Sequence, residues 1–387
     1  MVWNRRGSLI RKISNSPRDY AWGSTSLIPD YFGSEPTGKP MAEIWFGTHP
    51  ASESILQATG QKLSEFIGAN LKYLFKILAA GQPLSIQAHP TKAQAVEGFA
   101  RENSLGIALD AANRNYKDDQ PKPEMVVALT TFRALAGFRD ATEIELLLAK
   151  LQLLAKGSLA DEIQLYRDLL ADSIEKLFTK IIDDRANLAE TTKGLALISK
   201  QVDDSQFAGA LALVAELEEL YPGDPGVIIS LMMNYIELQP GEAMQLNAGE
   251  IHAYLSGLSL ELMTASDNVL RGGLTSKHID VAELKKVLKF EGKPVEIFTA
   301  KKLANGAYGF PRLAEDYQLF KFELSGSNLL ADLDLPSGCI GLCTAGEVTI
   351  FDSKGETATL KKGEAAYLAD ARLYSLTGSG TLFVASS

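Results

Sequence analysis

The stretch Pro240-Gly241-Glu242-Ala243-Met244-Gln245-Leu246-Asn247-Ala248-Gly249-Glu250-Ile251-His252 decides how we interpret the fold of this chain. Residues 243–246 have the texture of a β-strand. Glycine adopts the backbone conformations of a tight turn without a steric penalty. Gly241 and Gly249 therefore allow tight turns, after which a second strand can begin and direct His252 toward a site. The alternative for the same residues is an ordinary hairpin with a surface histidine.

Short apolar runs bounded by turn residues predict further strands on both sides of this stretch. Two other segments, residues 71–80 and 92–103, resemble short helices, and Thr91 is a suitable N-cap for the second. From about residue 286 onwards, turns recur at a spacing typical of a β-sandwich or jelly roll. The predicted strands cover residues 43–47, 84–88, 125–129, 227–233 and 259–263.

A helical block separates the two β-rich parts. Leu, Ala, Glu and Lys dominate residues 139–220, and we expect breaks between helices near Gly157 and Gly194. Apolar residues recur at steps of three and four, which is the pattern of amphipathic helices. A leucine stripe is far more often a packing surface than a site, so we assign the block no chemistry. The clearest example is the series Ile144, Leu147, Leu148, Leu151 and Leu154.

Composition narrows the classes of function. The 387 residues carry a net charge of −10, which disfavours nucleic acid as a partner because phosphate backbones are bound by clustered Lys and Arg. No segment approaches the ~20 apolar residues of a transmembrane helix, and the N-terminus lacks the apolar core of a signal peptide. Cys339 and Cys343 are the only cysteines, and we interpret them as packed thiols. So few cysteines, together with the missing signal peptide, favour a cytoplasmic protein. We also expect a monomer whose partner is a small molecule.

The chain has four histidines, so each is informative. His89 lies in the segment Pro83–Pro90, in which Ser85, Gln87 and His89 would share one face of a strand. Such a polar stripe needs a polar partner such as a metal, water or a sugar. A solvated edge strand is the alternative, because proline stands at both ends of the segment.

Glu124 opens the predicted strand at 125–129, where a charged residue entering an apolar strand needs a partner. It is either an exposed residue at the start of the strand or a carboxylate ligand. Two histidines, a glutamate and an amide oxygen would form a suitable set for Zn²⁺ with an open position. Glutamine is an unusual zinc ligand, so spacing alone leaves the metal open.

Taken together, these segments resemble the type I mannose-6-phosphate isomerases, a family of the cupin superfamily. The resemblance spans most of residues 18–280, and several long motifs occur in the family's order. The glycine pattern around Gly241, Gly249 and His252 also resembles the second cupin motif, with Asn247 in place of its proline. The matching motifs lie at residues 20–24, 42–50, 84–106, 122–125, 252–255 and 266–277.

The resemblance implies a fold and a domain order. The fold would be mainly β with an α-helical domain, built from a catalytic and a C-terminal cupin-type jelly-roll β-sandwich. Residues 1–138 and 226–285 would form the two parts of the catalytic cupin. Residues 139–225 would form the helical insertion, and residues 286–387 the C-terminal cupin-like domain.

The resemblance also implies a function and site residues. The expected reaction is the interconversion of mannose 6-phosphate and fructose 6-phosphate through a cis-enediol(ate), with one zinc ion per chain. His49 and His278 are expected not to be ligands. The implied zinc ligands are Gln87, His89, Glu124 and His252. The implied catalytic residues are Arg271, Glu261, Asp267 and Lys122, and the implied substrate-binding residues are Ser85, Lys277 and Tyr254.

One position departs from the family. Members commonly carry histidine immediately before the Lys-Pro-Glu motif, whereas this chain has Pro121. We therefore assign the proton transfer to a carboxylate, with Glu261 favoured and Asp267 as the alternative. Two other functions stay open at this point. One is a non-catalytic sugar-binding cupin, and the other is an Fe(II) cupin dioxygenase that uses two histidines and one carboxylate.

Overall fold

Two antiparallel β-sheets of ten strands each organise the chain in the computed structural model, which describes residues 10–312, 317–326, 329–369 and 372–387. The strands are numbered β1–β20 in chain order. The first sheet contains β2 (Glu43–Phe46), β4 (Tyr73–Ala80), β5 (Ile86–Ala88), β6 (Glu124–Ala128), β7 (Phe132–Phe138), β8 (Met233–Leu238), β9 (Glu242–Leu246), β10 (His252–Thr264), β11 (Leu270–Gly273) and β12 (Phe298–Thr299). The second sheet contains β1 (Ile10–Ser14), β3 (Ile55–Leu56), β13 (Lys301–Lys302), β14 (Tyr308–Gly309), β15 (Gln318–Leu324), β16 (Leu330–Leu335), β17 (Cys339–Phe351), β18 (Thr357–Lys361), β19 (Ala365–Leu368) and β20 (Arg372–Ser386).

Ten helices lie in the described part of the chain, and six of them separate β7 from β8. Four of the five apolar positions named above for the helical block, from Ile144 to Leu151, are fully buried, and Leu154 packs against the same core. The mainly β architecture with a helical block is thus confirmed, whereas the domain boundaries at 138, 225 and 285 stay predictions. The helices are α1 (Leu27–Phe32), α2 (Leu63–Ile67), α3 (Lys92–Ser104), α4 (Ala141–Gln152), α5 (Ser158–Asp172), α6 (Ile174–Asp183), α7 (Ala189–Ser199), α8 (Ala208–Leu220), α9 (Pro225–Met232) and α10 (Val281–Val287).

Strand β10 is the centre of the first sheet because it pairs with β4, β5, β6 and β7. Its register against β7 shifts between Tyr254 and Ser256, which marks a β-bulge. Side chains alternate between the two faces of a strand, and one extra residue reverses the alternation. His252 and Tyr254 therefore face the same side of the sheet as Glu261, although their positions differ by odd numbers.

Gly257 makes this bulge possible. Its φ of 114° lies in a region that side chains rarely adopt, and a Cβ at this position would collide with the carbonyl oxygen of Thr131. Glycine is therefore required here for its backbone conformation and for the close approach of β7.

An apolar layer joins the two sheets. Leu258, Leu260 and Leu262 of β10 belong to the same buried cluster as Ile340 and Leu342 of β17. Each large apolar side chain removed from water contributes roughly 1.5–3 kcal/mol. The N-terminal strand β1 also pairs with β19 in the second sheet. The two sheets are thus packed together, and the second sheet combines strands from both ends of the chain.

Three sequence predictions about secondary structure were wrong. Residues 73–80 form β4 rather than a helix, and all eight residues are buried; a continuous apolar run does not distinguish a buried strand from a buried helix. Residues 225–232 form α9 rather than a strand, because Asp224 caps the helix and Pro225 occupies its first turn. Gly194 does not break a helix but lies inside α7, where it allows a close approach to Leu159.

Two other predictions of helix boundaries are confirmed. Thr91 caps α3 through a capping box with Gln94, and Gly157 stands at the N-terminus of α5. Within the described ranges, no helix combines the length and the apolar character that crossing a membrane requires.

Candidate active site

A buried cluster of two histidines and one glutamate is supplied by three neighbouring strands of the first sheet. His89 follows β5, Glu124 opens β6 and His252 opens β10. His89 Nε2 lies 3.2 Å from one Glu124 oxygen, and His252 Nε2 lies 3.6 Å from the other. One ligand atom from each residue lies within 4.8 Å of the other two. The spacing and atom types are those of a candidate metal site.

In both histidines, a hydrogen bond at Nδ1 orients the ring so that Nε2 faces Glu124. His89 Nδ1 lies 2.7 Å from the carbonyl oxygen of Asn268, and His252 Nδ1 lies 3.0 Å from that of Glu250. A carbonyl oxygen only accepts, so each Nδ1 donates and each Nε2 keeps a lone pair that faces Glu124. Among the described residues, no hydrogen-bond partner reaches the buried Nε2 of His252. Two such nitrogens and a carboxylate fit a divalent cation such as Zn²⁺.

Electrostatics keeps this cluster competent to bind a metal. Burial, followed by the neighbouring charge of Lys122, lowers the pKa of His89 to about 4, so its ring is neutral at physiological pH. Burial disfavours the charged form of Glu124, but the neighbouring charge of Lys122 outweighs it and holds the pKa of this carboxyl well below its usual value. Both protonation states are those that metal ligands need.

Gln87 lies beside this cluster through the register of the sheet. Its Cα is paired with that of His252 on β10 and with that of Arg271 on β11. The three residues thus form a row across neighbouring strands. Lys122 and Tyr254 contact the cluster directly: Lys122 Nζ lies 2.7 Å from Glu124 Oε1, and the Tyr254 hydroxyl donates to Glu124 Oε2 at 2.7 Å.

A second charged group adjoins the cluster. It joins the predicted Glu261 to Lys76 and Glu43, which the sequence did not predict. Lys76 of β4 lies 2.9 Å from Glu261 and 3.3 Å from Glu43, and all three side chains are buried. The indole of Trp45 donates to the second oxygen of Glu43 at 2.9 Å. The available signals were a lysine inside an apolar run and a glutamate opening a strand, but the run was interpreted as a helix.

Burial and neighbouring charges shift the pKa of Lys76 and that of Glu261. Burial opposes the charged form of Lys76, but Glu261 and Glu43 outweigh it and raise its pKa. Burial raises the pKa of Glu261 to about 7, against the opposing effect of Lys76. Lys76 therefore stays charged, while Glu261 can gain or lose a proton near neutral pH.

A cavity of about 600 Å³ opens over both charged groups. His89 and His252 lie behind its wall and are buried. The cavity also contains Lys76, Glu43 and Lys117, which the sequence did not predict. The predicted site residues that line it are Ser85, Gln87, Lys122, Glu124, Tyr254, Glu261, Asp267, Arg271 and Lys277.

The two remaining histidines lie apart from the ligand cluster. His49 is buried and lies 3.3 Å from Asp267, and His278 is exposed after β11. Neither is part of the group that could hold a metal.

Comparison with known proteins places this geometry in a family. A family model for the catalytic domain of type I phosphomannose isomerase matches residues 10–141. The mannose-6-phosphate isomerases of Shigella flexneri and Escherichia coli (strain K12) are each 37% identical over 381 residues, which cover 93% of this chain and 95% of the relative.

Solved structures agree with the sequence relatives. A crystal structure of mannose 6-phosphate isomerase bound with zinc and yttrium superimposes with a TM-score of 0.87 and 32% identity, over 98% of this chain and 100% of that one. The enzyme from Salmonella typhimurium bound to its substrate and to zinc gives a TM-score of 0.86 at 32% identity, over the same shares of the two chains. The cupin-type fold expected from the sequence is the fold that this chain shares with them. By sequence identity over almost its whole length and by its fold, the chain belongs to the type I phosphomannose isomerase family.

Proposed function

We propose that this protein is a zinc-dependent isomerase that interconverts mannose 6-phosphate and fructose 6-phosphate. The observation that carries the proposal is the cavity itself, in which a metal-competent His–Glu–His cluster adjoins a buried carboxylate with a pKa of about 7 and several cations. Relatives that are named mannose-6-phosphate isomerase over nearly the full chain support it. A small phosphosugar is thus the proposed partner.

Gln87, His89, Glu124 and His252 are the residues that would hold one zinc ion. The two imidazoles and the carboxylate suit zinc, and the amide oxygen of Gln87 would complete the set. When bound, zinc supplies Lewis-acid stabilisation of negative charge on the sugar oxygens. The hydrogen bonds from Nδ1 of His89 and His252 to carbonyl oxygens keep both rings aimed.

The proposed chemistry moves a proton between C1 and C2 through a cis-enediol(ate). A base must reach the proton on carbon, and its pKa should lie near the working pH. Glu261 meets the second condition because burial raises its pKa to about 7. We assign the proton transfer to Glu261, with Asp267 as the alternative base. In the favoured assignment, Asp267 assists the opening of the sugar ring.

Arg271 would stabilise the negative charge that develops on O1 and O2. It lies on β11 beside Gln87 and lines the cavity. Burial lowers its pKa, yet a guanidinium remains charged at any working pH. A fixed cation directed at developing charge is typical of transition-state stabilisation. Guanidinium has no lone pair to offer, so Arg271 would not ligate the metal.

The phosphate would be held mainly by Lys277 with Ser85. Burial, then Arg271 and Lys117, lower the pKa of Lys277, so three cations lie near one another at this end of the cavity. Such a group favours an anionic ligand even in an acidic protein.

A coupled assay for fructose 6-phosphate tests the proposal on zinc-loaded protein supplied with mannose 6-phosphate. We expect turnover that chelation abolishes and added zinc restores. In deuterated water, product should also carry deuterium from the proton transfer. Sugar binding without turnover would support the non-catalytic alternative, and oxygen-dependent turnover with Fe(II) would support the dioxygenase. Cytoplasmic location and a monomeric state stay predictions, the latter open to sedimentation analysis.

A further inference from the structure

His49 lies directly behind Asp267, and no role assigned above uses it. Its side chain is only 6% exposed, while that of Asp267 is 47% exposed and lines the cavity. His49 Nε2 lies 3.3 Å from Asp267 Oδ2. The histidine itself is not among the residues that line the cavity. Any effect on the substrate would therefore pass through Asp267.

The surroundings of His49 fix its tautomer. Its Nδ1 accepts a hydrogen bond from the backbone N–H of Ala51 at 3.3 Å, so Nδ1 carries no proton. The proton then lies on Nε2, which donates to the carboxylate of Asp267. Trp45 packs against the ring edge-on, with 4.9 Å between ring centroids. The imidazole is thus held as a directed donor.

Asp267 is held from the backbone as well. Its N–H donates to Asp118 Oδ2 at 3.1 Å, and Ser266 donates its hydroxyl to the same carboxylate. Within the described residues, Oδ2 is the only Asp267 carboxylate oxygen with a polar partner in reach, so Oδ1 is left for a ligand in the cavity. One oxygen is therefore anchored and the other is available.

We propose that His49 is a positioning residue, which holds the Asp267 carboxylate toward the substrate by donating a hydrogen bond from Nε2. The inference rests on the proposed isomerase function and assigns to this chain a His–Asp pair outside the metal cluster. It gives Asp267 a fixed orientation for ring opening, and it accounts for the one buried histidine that does not belong to the metal cluster.

The charges around Asp267 support this role. Burial would raise the pKa of Asp267, but the hydrogen bond from His49, followed by the charges of Lys122 and Lys76, lowers it. Asp118, which accepts from the Asp267 backbone, faces the same loop. Removing His49 should therefore move the acid limb of the kcat/KM profile to higher pH.

Three variants separate positioning from simple packing. His49→Phe keeps a ring against Trp45 and removes the donor, while His49→Gln restores an N–H donor. We expect His49→Phe to lower kcat by about 10-fold or more, because hydrogen bonds to charged groups are among the stronger ones, with little change in KM. His49→Gln should recover most of this loss. In the Asp267→Asn background, His49→Phe should have almost no further effect. His278→Gln serves as the exposed-histidine control.

An independent readout comes from ¹⁵N NMR of the imidazoles, which is simplified by the presence of only four histidines. We expect the Nε2–H tautomer for His49 and a changed Nε2 shift in Asp267→Asn. Full additivity of His49→Phe and Asp267→Asn, failure of His49→Gln to rescue, or an Nδ1–H tautomer would each overturn the inference. If the wild-type protein lacked isomerase activity, the proposed function would fail, while the NMR result would still decide whether the pair exists.

Discussion

Strands β10 and β17 have similar backbone geometry, but the buried side chains of β10 include polar and charged residues whereas those of β17 are mainly apolar. Each has thirteen residues, and each is interrupted by a bulge in its first half, at Tyr254/Ser256 in β10 and at Cys343/Ala345 in β17. Each bulge is followed by a glycine with positive φ, whose Cβ would collide with a backbone carbonyl oxygen, of Thr131 just before β7 in one case and of Ser379 in β20 in the other. The backbone plan therefore does not distinguish the two sheets.

The two strands differ in the side chains on the face that each bulge keeps continuous along the strand. On β10 this face carries His252, Tyr254 and Glu261, which contact the charged groups of the cavity. On β17 the corresponding residues form an apolar cluster that includes Cys339, Cys343, Val348 and Ile350. Both thiols are free and buried, as composition predicted. Burial raises the pKa of Cys339 to about 12 and that of Cys343 to about 11, so both are inert at physiological pH.

The comparison shows what a polar interior requires. A buried charge is expensive unless a partner of opposite charge and further hydrogen bonds satisfy it. In the first sheet Lys76 has two carboxylates, and Glu124 has Lys122 and Tyr254. A cupin sheet thus becomes a candidate catalytic site only when several strands supply matched charges at the same face.

Removing a ligand from β10 should have the largest effect. His252→Asn deletes the inward nitrogen that lacks a protein partner among the described residues. We expect loss of bound zinc and a fall in turnover of at least ~10³-fold, since both the metal and its charge stabilisation are lost. Metal analysis and the coupled assay measure both quantities. His278→Asn is the matched control, and loss of zinc from that control would contradict the assignment.

Arg271→Lys tests whether the polar face of the first sheet needs only a positive charge or also the planar guanidinium group. If the planar fork matters, turnover should fall by ~10²–10³, the range seen when one preorganised donor is removed. Zinc content and KM should change little, which metal analysis and steady-state kinetics would show. Near-native turnover would mean that a cation of any shape is sufficient.

The ionisation of Glu261 should appear in the stability of the metal-free protein. Its folded pKa of about 7 lies above its ordinary value of 4.5, so its stabilising contribution is present below pH 4.5 and is lost as the pH rises through about 7. Relative to Glu261→Gln, we expect the wild-type free energy of unfolding to decline by up to about 3 kcal/mol over this range, at roughly 1.4 kcal/mol per pKa unit. Urea unfolding at several pH values measures it, and parallel pH curves would refute it.

Lys277→Ala tests the cationic end of the cavity. We expect KM to rise by about 10-fold and turnover to change less, because a charge-assisted contact to phosphate would be lost in both ground and transition states. Lys301→Ala, on the exposed strand β13, is the control. A defect confined to turnover would move Lys277 from substrate binding to catalysis.

A substitution in the apolar cluster around β17 should have the smallest effect on activity. Cys343→Ser places a hydroxyl among apolar side chains, where the carbonyl oxygens of Ala345 and Gly346 could accept its hydrogen bond. We expect a loss of about 1 kcal/mol in stability, with zinc content and turnover unchanged. Thermal unfolding and the coupled assay give the two values. A clear loss of activity would show that the second sheet communicates with the site.

The sequence pointed to several residues that line one cavity, but it did not predict the contacts between them. The stripe of Ser85, Gln87 and His89 was visible because alternation along a strand is a local pattern. Lys76 was missed because its environment depends on the pairing of β2, β4 and β10, and no local pattern reports such pairing. The bulge in β10 escaped notice for the same reason, since only the register against β7 reveals it. The helix α9 was missed because a short, fully buried apolar run has no periodicity to read.

The position of β10 also bears on how the site is assembled and how it is protected. Its partners β6 and β7 precede the helical block and β10 itself follows it, so Glu124 and Tyr254 meet across 130 positions of chain. Contacts of this sequence separation require the closure of long loops, which slows folding. Once formed, a strand paired on both edges belongs to the region whose amide protons exchange with solvent only through large-scale opening. We therefore expect the cluster that would hold the metal to form late and to lie in the part of the molecule that opens least, which hydrogen exchange would measure.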